Sequence, residues 1–402
     1  MNFRKITAAL MAAALCFTAA GCSKSAQESG TDGQGTGNVQ TVDEFDTELT
    51  AMQLTADIKI GWNLGNTLDA TGGSGLSQET SWGNPATTPE LIQAVKDAGF
   101  NAVRIPTTWE RQMDDDGNIN PEWTARVKEI VDYAYDAGMY VILNMHHEEW
   151  YQPYADKEEE ISAKMTSSWT QIAEAFRDYD QHLIFEGMNE PRWKNTDFEW
   201  NGGNEEGRTV VNHLNQVFVD AVRATGGNNQ YRFLMVCPYA ANSTEPALAA
   251  LEIPDDDRLI VSVHAYIPYG FALQNPGSDK WLASKPGCTS DIDTLAEVLD
   301  RLFISKGQAV IIGECGAMNR QNENYRAAWA EYYFSTFRNI GIPCFWWDNG
   351  AFMSGETFGL FDRYNNVPRY NLLVQGIMNG VNGITGVDYD ALAEESAASA
   401  AA

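Results

Sequence analysis

Eight short strand-like runs alternate with longer amphipathic runs between residues 58 and 380, and this rhythm restricts the fold more than any other feature. The runs lie at 58–64, 102–106, 140–145, 183–188, 233–238, 259–265, 309–314 and 343–347. Their continuous Val, Ile and Leu content suits parallel strands buried on both faces. The segments between them carry helix boundary signals. Thr88-Pro89-Glu90 opens one helix and Gly99 closes it, and Asn120-Pro121-Glu122 and Gly138 do the same for the next. Further helices are predicted over 162–178, 206–224, 292–305, 323–339 and 369–378. Repeated β/α units in an α/β chain predict a closed (β/α)8 TIM barrel, which takes about 250 residues. An open doubly wound sheet is the alternative, and the lack of a Gly-rich phosphate fingerprint after the first run counts against it.

One such domain over 45–380 leaves both ends of the 402-residue chain outside the barrel. Residues 1–22 read as an export signal, with Arg4 and Lys5 before an apolar stretch too short to span a bilayer comfortably. Ala19-Ala20-Gly21-Cys22 resembles a bacterial lipoprotein processing site, which makes Cys22 the lipid attachment point. Ala19 stands where such sites usually carry Leu, so an ordinary cleaved signal is the alternative. Residues 23–44 are rich in Ser, Gly, Gln and Thr and are expected to form a flexible tether. The stretch 381–402 is set apart as an Ala/Ser/Glu-rich C-terminal tail, of which 390–402 is expected to be frayed or weakly helical. These features predict an exported lipoprotein on the outer side of a bacterial membrane. Cys237, Cys288, Cys315 and Cys344 have no metal-ligand spacing, and no essential disulfide is expected of them.

A net charge of −28 argues against nucleic acid as a partner and suits a neutral polymer better than an anionic one. Nothing in the chain calls for an oligomer, so a monomer is expected. The polar and aromatic residues concentrate where the strand-like runs end, which is the catalytic face of a barrel. In order these are Trp62-Asn63, Arg104, His146-His147, Asn189-Glu190, His264-Ala265-Tyr266, Glu314 and Trp346-Trp347-Asp348-Asn349. A barrel can bring two carboxylates on separate strand ends face to face, the arrangement that cleaves glycosidic bonds. Glu190 is the candidate acid/base and Glu314 the candidate nucleophile. Asn189 could hold a sugar 2-hydroxyl, Arg104 could keep Glu314 ionised, and His264 and Tyr266 could orient the carboxylates. His146 could meet a sugar hydroxyl. Strand alternation leaves only one of Trp346 and Trp347 facing inward to floor a subsite. Twelve Trp and sixteen Tyr are more than packing alone requires, and aromatic faces stack on the apolar faces of sugar rings. Trp82-Gly83-Asn84-Pro85, Trp150-Tyr151, Trp193 and Tyr269-Gly270-Phe271 are expected to line the cleft.

Each residue also has an ordinary reading. Asn-Glu-Pro is a common exit from a strand, an arginine after a strand is usually a surface residue, and paired tryptophans can simply fill a barrel mouth. His146-His147-Glu148-Glu149 lacks the second histidine one helical turn on that a zinc helix requires, so no metal is expected. It is the joint occurrence, in order and at successive strand ends, that favours chemistry.

That order resembles glycoside hydrolase family 5, and the local strings are closest to its fourth subfamily. They are Gly61-Trp62-Asn63-Leu64-Gly65-Asn66-Thr67-Leu68-Asp69, Phe185-Glu186-Gly187-Met188-Asn189-Glu190-Pro191-Arg192, Val263-His264-Ala265-Tyr266, Gly313-Glu314 and Trp346-Trp347-Asp348-Asn349-Gly350. The resemblance covers roughly residues 45 to 380. It implies a single catalytic barrel, retention of anomeric configuration, and no cofactor. It also implies endo-acting cleavage of β-1,4-glucans such as cellulose, mixed-linkage glucan or xyloglucan. Glu190 and Glu314 carry over as acid/base and nucleophile, with Arg104, His146, Asn189, His264, Tyr266 and Trp347 around them. A β-mannanase or xylanase on the same barrel, an exo-acting glucosidase and a glycan-binding surface lipoprotein are the alternatives. Retention requires the two carboxyls to lie about 5–5.5 Å apart. A carboxylic acid beside a second carboxylate is also expected to have a raised pKa at Glu190.

Overall fold

The computed structural model describes residues 45–400, with side chains to residue 394. The signal, Cys22 and the tether over 23–44 lie outside the described residues. The chain runs α1 (Ala51–Asp57), β1 (Gly61–Leu64), α2 (Pro89–Asp97), β2 (Ala102–Ile105), α3 (Pro121–Asp136), β3 (Tyr140–Asn144), α4 (Glu158–Ala175), β4 (Leu183–Glu186) and α5 (Glu205–Ala224). It continues through β5 (Leu234–Val236), α6 (Glu245–Ala249), β6 (Leu259–His264), α7 (Tyr269–Ala272), α8 (Pro286–Leu302), β7 (Ala309–Cys315), α9 (Glu323–Asn339) and β8 (Cys344–Asp348). A small hairpin of β9 (Phe361–Asp362) and β10 (Val367–Pro368) precedes α10 (Asn371–Val381) and α11 (Tyr389–Ala400).

Strands β1 to β8 are hydrogen-bonded in sequence order and β8 closes onto β1, all in parallel. This is the predicted (β/α)8 barrel. The core has two parts because each strand buries both faces. Ile142, Ile184, Met235, Ile260, Ile311 and Phe345 fill the barrel interior, where Leu54 of α1 joins them. Val103, Val141, Leu143, Phe185 and Val261 face the surrounding helices. Gly61 is a packing requirement: a Cβ there would lie 1.9 Å from the Phe345 ring. Helix α2 starts where predicted, with Thr88 accepting from the Leu91 N–H and Pro89 in the first turn.

Three features depart from the sequence reading. Helix α1 precedes the first strand and closes the base of the barrel. A five-residue α6 stands between β5 and β6, where no helix was expected. The tail from 381 is tied back at one point. Tyr389 is buried and its hydroxyl donates to Glu331 Oε2 at 2.6 Å, so one aromatic anchors a segment whose composition reads as tail. Among the described residues, no helix is long and apolar enough to cross a membrane. Cys237, Cys288, Cys315 and Cys344 are free thiols, and three of them are buried.

Candidate active site

The upper barrel interior changes from apolar to polar, and Arg104 is its hub. Its guanidinium is fully buried and reaches four side chains on β1, β4 and β7 or just beyond them. Nε donates to Glu186 Oε2 (2.7 Å), Nη1 to Asn63 Oδ1 (3.0 Å) and Glu314 Oε1 (2.7 Å), and Nη2 to Asn189 Oδ1 (2.7 Å). Two carboxylates offset the desolvation of one buried cation and hold its pKa above the ordinary arginine value. Glu186 in turn accepts from Ser262 Oγ (2.5 Å) and Asn144 Nδ2 (3.0 Å). Glu186, Ser262 and Asn144 were not singled out in the sequence. A charged residue and two small polar ones at the ends of apolar runs were the available signal.

Glu314 is aimed by a bulge. Strands β6 and β7 pair Val263 with Ile312 and then His264 with Glu314, which skips Gly313. Such an extra residue re-aims the side chain that follows. A Cβ at Gly313 would crowd Ser262 Oγ at 3.1 Å, so glycine lets the bulge sit against the β6 side chains. Tyr266 Oη donates to Glu314 Oε2 at 2.8 Å, which with Arg104 occupies both carboxylate oxygens.

Glu190 lies four residues beyond the end of β4 and is held differently. His264 donates from Nδ1 to its Oε1 at 2.8 Å, and Arg192 donates from Nη1 to its Oε2 at 3.2 Å. One carboxylate oxygen of Glu190, one of Glu314 and a ring nitrogen of His264 all fall within 4.8 Å of one another. The nearest oxygens of the two carboxylates thus lie within 4.8 Å of each other.

The expected raised pKa of Glu190 is corrected. Burial pushes it up, but the hydrogen bond and charge of His264, with Arg192 and His147, outweigh burial and bring it to about 2. His264 shifts the opposite way: burial lowers its pKa, and the charges of Glu314 and Glu190 more than reverse that. Both shifts favour a proton on His264 over one on Glu190 in the substrate-free protein. The other ring nitrogen, Nε2, is buried without a hydrogen-bond partner among the described residues.

Trp347, not Trp346, faces the site. Trp347 lies parallel to the His146 ring at 5.8 Å and 1°. Trp346 is wholly buried behind the strand, edge-on to Trp329, with its Nε1 donating to Phe358 O. His146 accepts from Asn144 Nδ2 at 3.1 Å, and burial keeps it neutral. His147 leans on Trp82, with ring centroids 5.7 Å apart, and its Nε2 is 4.0 Å from Asp69 Oδ2. His146, His147 and Asp69 do converge to within 4.8 Å, a contact the sequence reading missed. There His146 already uses Nδ1 toward Asn144, and its ring face is taken by Trp347.

The residues expected to line the cleft differ in exposure. Trp82 and Tyr269 are exposed, and Trp193 is half-buried against Tyr154. Tyr151 and Phe271 are buried instead. Tyr151 hydrogen-bonds the His146 carbonyl, and Phe271 packs near Trp329. Phe198, Trp200 and Tyr364 are exposed aromatics that were not anticipated. They sit in loops, where no periodicity distinguishes an exposed ring from a packed one.

A family model described as cellulase (glycosyl hydrolase family 5) matches residues 34–353. The chain is 47% identical over 326 residues to Endoglucanase A of Ruminococcus albus, spanning 79% of this chain and 88% of that protein. It is also similar to the solved structure of a GH5-4 broad specificity endoglucanase from Ruminococcus champanellensis with bound cellotriose. The TM-score is 0.80 at 44% identity, over 82% of this chain and 98% of that one. A xyloglucan-specific GH5 endo-β-1,4-glucanase from a metagenomic library, XEG5A, in complex with cellotriose, gives a TM-score of 0.79 at 42% identity. That match covers 82% of this chain and 98% of the other.

Proposed function

The chain belongs to glycosyl hydrolase family 5, and on that premise we propose that Glu190 and Glu314 hydrolyse a β-1,4-glucan by double displacement. The protein is a glycoside hydrolase of the endo-β-1,4-glucanase kind, acting on plant polysaccharide. The observation that carries the residue roles is the pair of carboxylates within 4.8 Å, each held by different partners. Glu314 takes Arg104 and Tyr266, both fixed donors that hold its two oxygens for attack on the anomeric carbon. Glu190 takes His264, a donor that can give up its proton. As the leaving oxygen approaches, the proton passes along the 2.8 Å bond to Glu190 and on to the departing sugar. In the second half, Glu190 accepts a proton from the water that releases the glycosyl-enzyme. Asn189 spends Oδ1 on Arg104, which leaves its Nδ2 to donate to a sugar 2-hydroxyl. The stacked His146 and Trp347 wall the same sugar.

Exposed aromatic rings supply platforms on both sides of this centre. Trp82 and Tyr364 lie on the loops after β1 and β8, and Trp200 and Tyr269 on those after β4 and β6, across the barrel. Platforms on two sides support internal cleavage of a long chain, and xyloglucan and mixed-linkage glucan are the proposed substrates beside cellulose. The deciding experiment is reducing-sugar release from xyloglucan, mixed-linkage glucan, xylan and mannan, with Glu314→Ala in parallel. Rapid release from a glucan, lost in the variant, is expected. Preference for mannan or xylan would keep the mechanism and overturn the substrate.

We further propose that the mature protein is a monomer tethered to the outer side of a bacterial membrane through a lipid on Cys22. The Ala19-Ala20-Gly21-Cys22 string supports this. Cys22→Ala should abolish incorporation of labelled palmitate, and light scattering of the tether-free protein should give a single-chain mass.

A further inference from the structure

Glu190 is gripped on both oxygens, and the outer grip leads to an exposed tryptophan. The His264 grip is on Oε1, and His264 Nδ1 is also 3.7 Å from Glu314, so that side faces the anomeric carbon. The Arg192 grip is on Oε2, which turns toward the loop between β4 and α5. Arg192 is itself held from several directions. Nη1 donates to the Glu190 backbone carbonyl (2.9 Å), Nε donates to Glu199 Oε1 (3.2 Å), and the guanidinium lies 4.0 Å from the centre of the Trp200 ring. Glu199 is in turn fixed by the Asn195 N–H at 2.8 Å. Above this cage Trp200 is 55% exposed, with Phe198 beside it in sequence at 40%. An arginine stacked under a tryptophan gives that ring an ordered position. A large ring held in place yet left open to solvent is a surface for the apolar face of a sugar.

We propose that Arg192 is a positioning residue for the acid/base and that Trp200 is the platform for the departing sugar, the two being linked through one guanidinium. This rests on Glu190 being the acid/base. Arg192 fixes the direction of the Glu190 carboxyl and sets its affinity for the proton shared with His264, and Trp200 fixes Arg192 and seats the leaving unit. The other charged groups facing Glu190 are His264 from β6, Glu314 from β7, His147 after β3 and Glu356 on the loop after β8. Of those four groups His264 hydrogen-bonds the carboxylate, as Arg192 does from the other side.

The test compares kcat/KM on cellotetraose, whose leaving sugar needs a proton, with dinitrophenyl β-cellobioside, whose leaving group does not. Arg192→Gln should lower the cellotetraose-to-aryl ratio by about tenfold. It should also move the basic limb of the cellotetraose profile up by roughly half to one pH unit, because a cation that favours the carboxylate is gone. Arg192→Lys should leave that limb in place while still lowering the ratio, since an ammonium cannot reproduce the fork. Trp200→Ala should lower the same ratio roughly tenfold, and Trp200→Phe should restore most of it. An unmoved limb in Arg192→Gln, with equal loss on both substrates, would reduce Arg192 to a structural role and overturn the proposal. An unchanged ratio in Trp200→Ala would remove the platform. If Glu190→Gln itself keeps the wild-type ratio, the acid/base assignment fails and takes this proposal with it.

Discussion

Arg104 is the residue on which the catalytic pair depends, because one guanidinium neutralises two buried carboxylates from opposite sides of the barrel. Arg104→Met would leave Glu186 buried with only neutral donors, and Glu314 with Tyr266 and the more distant His264. Removing one partner of a buried ion pair costs about 3–5 kcal/mol, so a lower urea midpoint should accompany loss of glucan hydrolysis. The His264–Glu190 pair makes a second, pH-dependent prediction. The Glu190 pKa falls from 4.5 to about 2, so its contribution is present above pH 4.5 and lost as pH falls toward 2. The His264 pKa is raised above 6.5, so its contribution is present below pH 6.5 and lost as pH rises through the raised value. These are two ends of one interaction, complete between pH 4.5 and 6.5. Urea titrations of wild type and His264→Ala across pH 3–9 should show the largest stability difference in that window; a pH-independent difference would mean no proton is shared. The sequence made the identities legible, since each sits at a strand end. It did not make the proton's place legible. A neighbouring carboxylate suggested a raised Glu190 pKa, whereas the donors that lower it come from β6 and from the residue just past Asn-Glu-Pro.

At the level of elements, the strands were legible because burial on both faces makes them continuous apolar runs, and the helix starts because Thr88 and Asn120 cap them beside proline. What escaped were elements whose role is set by distant partners. Helix α1 is short and would not stand alone in water. It is held because Leu54 enters the barrel interior at its base, beside Ile58 and Phe345. Helix α6 spans five residues, too few for a periodic signal. The bulge at Gly313 is a matter of register between two strands, and no single strand's sequence encodes it. Because α1 closes the end opposite the site, Leu54→Ala should separate stability from catalysis. It removes a fully buried side chain and should cost about 2–5 kcal/mol. KM and kcat on a soluble glucan should stay close to wild type at temperatures where the fold persists. A large change in KM at constant stability would show that the base of the barrel communicates with its mouth.

At the scale of the whole molecule, charge determines which polymers approach easily. The chain carries 55 acidic against 27 basic residues, a net −28 at neutral pH. The site adds to that field: burial first, and then the charges of Glu190 and Glu314, raise the pKa of Glu356. A neutral glucan meets this surface without electrostatic cost, but carboxymethylcellulose brings its own negative charges and is repelled on approach. Repulsion between exposed charges is screened beyond about 10 Å at 0.1 M salt and beyond about 3 Å at 1 M. Raising sodium chloride from 10 mM to 500 mM should therefore lower KM for carboxymethylcellulose by several-fold and leave KM for xyloglucan or mixed-linkage glucan nearly flat. The kcat for both should move little, because Arg104, Glu186 and Glu314 are buried and screened weakly by added ions. A parallel rise for charged and neutral polymers would point to a general salt effect on the protein. A flat response on carboxymethylcellulose would mean that the rings flanking the cleft, and not the field around it, govern capture of the chain.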